Sequence, residues 1–166
     1  PTSGIMEASD KQKLVESIEK AWANVQYPGD QNIFTPDSFD TDGITEYFSG
    51  TTWKGHSIAG LRSRCFALNT FFTPKAYHYW LPAYLIAAVE DPLELSQGAQ
   101  CLVASVSPGR GWDAEKKVAL LTNDQKLAVK QVLEYLIEVY RDPSYPEDTK
   151  DVENAITYLS SIATAA

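Results

Sequence analysis

Apolar side chains recur at helical spacing in the first part of the chain, starting after Ser9. This spacing predicts an amphipathic helix from Ser9 to Val25, with Ser9 as its cap, because every third or fourth residue shares one helix face. The turn residues Tyr27-Pro28-Gly29-Asp30 should end it. The apolar stripe consists of Leu14, Val15, Ile18, Ala21, Trp22 and Val25.

Two further helices are predicted before the middle of the chain. A short one spans Asp40 to Phe48 and ends at Gly50. A longer one spans Ile58 to Phe72, with Ser57 as a suitable cap. We expect Trp53, which lies between them, to pack as an anchor beneath a loop.

A continuous apolar stretch follows, beginning at Thr73-Pro74 and ending at Asp91-Pro92. Thr73 can cap a helix in which Pro74 occupies the first turn, where its missing N–H costs nothing. The segment is apolar around nearly its whole circumference, which indicates a central, buried helix. Pro82 lies inside it and predicts a kink near residues 78–82, or a break into two helices.

The C-terminal part is predicted to add two more helices. Residues Ala99–Val106 are apolar and fit either a short helix or a strand. Thr122–Tyr140 has a capping box at its start, and Pro146–Ile162 has a regular apolar stripe. Together the patterns predict an all-α, or mainly α, fold: a compact single-domain bundle of about six helices around a Pro-kinked central helix.

The composition is that of a globular chain. Its 166 residues, 44% of them hydrophobic, suffice for one domain with a real core, and no 18-residue apolar run suggests a membrane span. Met6 resembles a native start, so we expect Pro1–Ile5 to be a cloning remnant and residues 6–166 to form a single helical domain. Cys65 and Cys101 lie in apolar surroundings, which predicts buried reduced thiols and a cytoplasmic protein.

Negative charge is concentrated near the N-terminus. The net charge is −8, and residues 1–53 contribute nine acids against three lysines. Between Lys20 and Lys54 there is no Lys, Arg or His. Such a surface repels nucleic acids and anionic membranes and attracts cationic proteins, although it could also serve only solubility.

Catalytic and cofactor signatures are weak in this sequence. His56 and His78 are the two histidines, and no nearby motif marks either as a catalytic base, so we expect no catalytic residues. Asp40-x-Asp42 lacks the ligands of a calcium loop, and Glu134 with Glu138 is more typical of a solvated helix face. We therefore expect no metal and no cofactor.

The aromatic residues from 77 to 84 allow two interpretations. Tyr and Trp are enriched at binding hot spots, so the group could line a pocket. A core helix whose hydroxyls reach polar partners is the alternative. The residues concerned are Tyr77, Tyr79, Trp80 and Tyr84.

Four motifs give the chain a family resemblance. They are YPGD-x-NI from Tyr27, FxGxxW from Phe48, and FTPxAYxYWLPAYL from Phe72, followed by LTxxQK from Leu121. From Met6 to about Tyr140 the chain resembles a family of short bacterial proteins of unknown function. It departs from that pattern at Asn123, where a proline is common. The resemblance implies one globular domain of bacterial type and carries no activity.

We expect a non-enzymatic inhibitor that binds a protein, most concretely a cytoplasmic bacterial immunity protein that neutralises a basic toxin. Nucleic acids and membranes are not expected partners, and the oligomeric state stays open. One alternative is a small-molecule or peptide-binding module with an aromatic pocket, and another is a carboxylate- or metal-dependent enzyme. The predicted partner-binding residues are Tyr27, Asp30, Phe34, Asp37, Phe39, Asp40, Asp42, Glu46 and Tyr47.

Overall fold

The computed structural model describes residues 6–35, 43–145 and 149–162, and within these ranges it is mainly helical. The β-pairing within these ranges is an isolated antiparallel bridge between Phe34 and Phe72. The predicted mainly α fold is confirmed, with more short helices than expected. The α-helices are α1 (Ala8–Ala21), α2 (Ile44–Phe48), α3 (Ile58–Arg62), α4 (Pro74–Glu90), α5 (Pro92–Leu95), α6 (Gln97–Ser105), α7 (Ala114–Ala119), α8 (Asn123–Tyr140) and α9 (Thr149–Ser161).

Helix α4 lies at the centre of one hydrophobic core. It contacts α1, α8, α6, α7 and α5, and twelve of its seventeen residues are buried. Thr73 caps it as predicted, accepting a hydrogen bond from the Ala76 N–H at 3.1 Å. Within the described ranges no helix is long and apolar enough to cross a membrane.

Pro82 is accommodated inside α4 by a side chain from another helix. The predicted break is wrong, because α4 is uninterrupted from Pro74 to Glu90. A proline cannot donate to the carbonyl four residues earlier, which here belongs to His78. The indole N–H of Trp22 donates to that His78 oxygen instead, at 2.8 Å. Because Trp22 is fully buried, this bond joins α4 to the segment that follows α1.

Helix α1 begins just before its predicted start at Ser9 and ends before its predicted end at Val25. Ser9 is not its cap, because the carbonyl of Glu7 already accepts from the N–H groups of Asp10 and Lys11. The helix ends at Ala21, not Val25. The Ala21 carbonyl accepts from the side-chain amide of Gln125 at 3.0 Å, so a tertiary contact replaces the next helical bond.

The predicted helix from Ile58 to Phe72 is interrupted. Ser57 caps α3 as expected, but α3 ends at Arg62 and is followed by a turn and a π-helix, Ala67–Phe71. Carbonyls in this stretch accept from other parts of the fold. The Tyr84 hydroxyl donates to the Arg64 carbonyl at 2.7 Å, and Lys117 Nζ donates to the Leu68 carbonyl at 3.1 Å. The Tyr84 and Lys117 side chains thus take the place of the backbone N–H groups that would donate to these carbonyls in a continuous α-helix.

The remaining differences lie at helix ends. Residues 99–106 are largely helical, in α6, which Ser96 separates from α5 with its positive φ of 53°. Helix α7 was not predicted. Thr122 and Gln125 form the predicted capping box on α8. The described part of the predicted helix from Asp40 is α2, and that of the predicted helix from Pro146 is α9; residues 40–42 and 146–148 lie outside the described ranges.

Candidate functional site

The segment from Tyr27 to Trp53, called the acidic segment below, is tied to the core at its first loop. Gly29 adopts a φ of 94°, and the side chain of Asn32 donates to the Pro28 carbonyl at 2.8 Å. The Thr73 hydroxyl then donates to the Asn32 carbonyl, and the Thr73 N–H donates to the Ile33 carbonyl. The loop is therefore fixed against the start of α4.

Tyr27 connects the two described parts of the acidic segment. Its hydroxyl donates to the Asp30 carboxylate and accepts from the Gly50 N–H at 2.9 Å. Its ring packs edge-on against Tyr79 and Trp80, yet 38% of the residue stays exposed. Desolvation and Asp30 both raise the pKa of Tyr27. Tyr27 thus offers an exposed aromatic surface on a fixed backbone.

Phe34 and Tyr47, two further predicted partner-binding residues, are partly buried. Phe34 stacks on Phe71, with ring centroids 5.3 Å apart. The Arg64 guanidinium lies 4.0 Å from the centroid of the Tyr47 ring, and the Tyr47 hydroxyl is 3.0 Å from His56 Nδ1. Both side chains therefore attach the described parts of the acidic segment to residues outside it.

The carboxylates of the acidic segment are only partly within the described ranges. Asp30 and Glu46 are exposed, and neither forms an ion pair with a cation in the described part of the chain. The other four predicted partner-binding residues lie outside the described residues: Asp37, Phe39, Asp40 and Asp42.

The aromatic residues of α4 belong to the hydrophobic core. Tyr77, Trp80 and Tyr84 are fully buried. The Tyr77 hydroxyl lies 3.0 Å from the Ser105 hydroxyl, and the indole N–H of Trp80 donates to the Thr51 hydroxyl at 3.2 Å. Since their polar atoms have internal partners, these residues stabilise the fold.

The two cysteines are buried, whereas the carboxylates of Glu134 and Glu138 lie on the surface. Cys65 and Cys101 are free and buried, as predicted, and burial raises the pKa of Cys101 to about 12, so a nucleophilic thiolate is strongly disfavoured. Glu134 and Glu138 are exposed on α8. Across the described ranges, no group of three or more His, Cys, Asp or Glu side chains could hold a metal ion.

One cleft of about 750 Å³, called the end cleft below, lies at one end of the helix bundle. It forms where α1 ends and where α4 and α8 begin, and His78 lies on its wall with Gln125. Burial lowers the pKa of His78. The lining residues are Lys20, Ala21, Asn24, Val25, Gln26, Tyr27, Pro28, Lys75, His78, Leu120, Thr122, Asp124 and Gln125. The sequence does not predict this cleft, because its walls come from three distant segments.

A second feature missed from the sequence is Trp112, which is 59% exposed. Its backbone N–H donates to the Asn69 carbonyl at 2.6 Å. A Cβ at the preceding Gly111 would lie 2.9 Å from the Ala104 carbonyl oxygen, so the backbone passes too close to α6 for a larger residue. The exposed indole therefore sits on a closely constrained turn. A tryptophan flanked by turn residues was the available signal in the sequence.

Residues 10–159 match a family of unknown function (DUF6714). The chain belongs to the DUF6714 family. The match confirms the resemblance to a family of unknown function and extends beyond Tyr140 to include most of α9. No curated protein and no solved structure matches the chain.

Proposed function

We propose that this DUF6714 protein is a non-enzymatic inhibitor that binds a basic protein, most concretely as an immunity protein against a cationic toxin. The observation that carries the proposal is the acidic segment, which has no Lys, Arg or His between its ends and exposes Asp30 and Glu46 without ion-pair partners in the described ranges. A basic partner gains association rate from such a surface.

The hydrogen bonds that fix the first loop of the acidic segment support the same proposal. Tyr27 links Asp30 to the backbone of Gly50, and Thr73 ties the first loop to α4. A surface that is already ordered loses less conformational entropy on binding. Tyr27 adds a partly exposed ring beside the Asp30 carboxylate, the type of residue that often contributes most of the binding energy at an interface.

The contacts of His56 support a binding role over general base catalysis. Its Nε2 lies 2.8 Å from the Thr52 carbonyl and therefore donates to it, which leaves Nδ1 to accept from the Tyr47 hydroxyl. Both ring nitrogens of His56 are thus engaged in hydrogen bonds with Thr52 and Tyr47. Burial also lowers the pKa of His56.

The test is co-expression with the product of the neighbouring gene, followed by binding kinetics on the purified pair. Asp30→Asn with Glu46→Gln removes two charges while keeping side-chain shape. The matched control is Glu115→Gln with Glu153→Gln, two exposed acids elsewhere. We expect the first pair to slow association several-fold and to weaken its salt dependence, with the control unchanged. A complex whose association is equally affected by both pairs, or no complex, contradicts the proposal.

A further inference from the structure

The end cleft combines features of a small-molecule site. Its volume of about 750 Å³ lies within the range of ligand pockets, roughly 300–1,000 Å³. Val25 and Pro28 contribute apolar wall, and Tyr27 and Leu120 are partly exposed, at 38% and 39%. A few polar side chains converge on this wall, which is the usual composition of a pocket that orients one ligand.

The Gln125 side chain fixes the tautomer of His78. Gln125 Oε1 accepts from the Thr122 N–H at 3.0 Å, and its Nε2 donates to the Ala21 carbonyl at 3.0 Å, so the orientation of the amide is determined. His78 Nε2 lies 2.8 Å from the same Oε1 and must donate to it. Neutral His78 therefore carries its proton on Nε2, and Nδ1 keeps a lone pair that can accept a hydrogen bond.

The charges of the cleft define the ligand further. Lys20 and Lys75 line it, both are exposed, and neither forms an ion pair within the described portion of this acidic protein. Two ammonium groups favour an anionic ligand group. Asp124 lines the same cleft and disfavours a dianion such as a phosphate monoester, while it can hold an ammonium group.

We propose that the end cleft binds a small 2-amino or 2-hydroxy acid with an apolar side chain. Lys20 and Lys75 hold its carboxylate, and its amino or hydroxyl group donates to His78 Nδ1. The apolar side chain covers the wall that includes Tyr27 and Leu120. The end cleft shares Tyr27 and Pro28 with the acidic segment, but its lysines attract an anion, whereas the acidic segment attracts a basic protein.

Four probes separate the contributions of the ligand groups: phenyllactate, phenylalanine, 3-phenylpropanoate, which lacks the donor, and 2-phenylethanol, which lacks the carboxylate. Binding is measured by titration calorimetry, and the nitrogen resonances of His78 by NMR. We expect phenyllactate or phenylalanine to bind at least tenfold more tightly than the other two and to shift the Nδ1 resonance. If none of the four binds at 10 mM, or if 2-phenylethanol binds as tightly as phenyllactate, the proposal is overturned.

Charge-neutralised variants locate the site. Lys20→Gln with Lys75→Gln should weaken binding of the better probe at least tenfold. Lys13→Gln with Lys116→Gln, two exposed lysines outside the cleft, changes the net charge equally and should leave the affinity unchanged. All four lysines are exposed, so the variants should fold, which circular dichroism checks. Equal affinity of the Lys20/Lys75 variant and the control variant overturns the assignment.

Discussion

Replacing Trp22 with Phe removes the indole N–H that takes the place of the missing Pro82 amide. The His78 carbonyl then loses the hydrogen bond of 2.8 Å that the indole provides, in a helix packed on most sides. A buried carbonyl without a donor destabilises a protein by about 1–3 kcal/mol. The smaller ring adds a packing loss of about 1 kcal/mol, so we expect Trp22→Phe to lower the free energy of unfolding by about 2–4 kcal/mol.

A second substitution isolates the hydrogen bond from the packing loss. Pro82→Ala restores a backbone N–H four residues after His78, so the carbonyl can be satisfied without the indole. Trp22→Phe should therefore be less destabilising in the Pro82→Ala background than in the natural one. The difference, which is the coupling energy of the double-mutant cycle, should be about 1–2 kcal/mol.

The four proteins of this cycle can be compared by urea unfolding, followed by far-UV circular dichroism because the tryptophan content changes. Equal denaturant slopes would show that the same surface is exposed in each case. If the two substitutions add within about 0.3 kcal/mol, then Trp22 does not replace the Pro82 donor and the reasoning is wrong.

Three further predictions concern stability. Burial lowers the pKa of Lys117 from 10.5 to about 8, so its charged form destabilises the fold below pH 8; the stability of the natural protein relative to Lys117→Met should rise by about 2 kcal/mol between pH 7 and 9.5, while the exposed control Lys116→Met shows no such change. Gly60→Ala should lower stability by about 1–3 kcal/mol, because the new Cβ would lie 2.5 Å from the Tyr47 hydroxyl, and Tyr47→Phe should relieve part of this loss in a thermal melt. Burial lowers the pKa of His78 below 6.5, so the unfolded chain binds more protons and stability falls as the pH drops below 6.5; His78→Gln should reduce that decline, and an equal decline in both proteins would contradict it.

Local sequence predicted the features that depend on neighbouring residues. Ser57, Thr73 and Thr122 cap the helices they precede, because each hydroxyl reaches an N–H only three residues away. The apolar pattern around Trp80 correctly indicated a buried central helix, because a helix without a polar face cannot face water.

Features that depend on distant side chains could not be predicted in this way. Pro82 does not break α4, because Trp22 donates to the carbonyl of His78, which lies 56 residues later in the chain. The predicted helix that includes Leu68 is partly π-helical. Lys117, which lies 49 residues later in the chain, donates to the Leu68 carbonyl there. Neither partner is marked by a local pattern.

The two candidate sites differ in the same respect. The charge of the acidic segment is visible in the sequence, but the hydrogen bonds of Tyr27 with Asp30 and Gly50 are not. The end cleft could not be predicted from the sequence, since His78, Gln125 and Lys20 come from three helices. Charge patterning is a property of a segment, whereas a cleft is a property of packing.

The most direct test of the proposed function is the rate of association with the purified product of the neighbouring gene, measured from 50 to 500 mM salt. For the natural protein, we expect a rate that falls steeply as salt rises, and a slower rate with a shallower slope for Asp30→Asn with Glu46→Gln. Glu115→Gln with Glu153→Gln should behave as the natural protein does. A rate that is independent of salt and of Asp30 and Glu46 would contradict the central claim that the acidic segment recognises a basic partner.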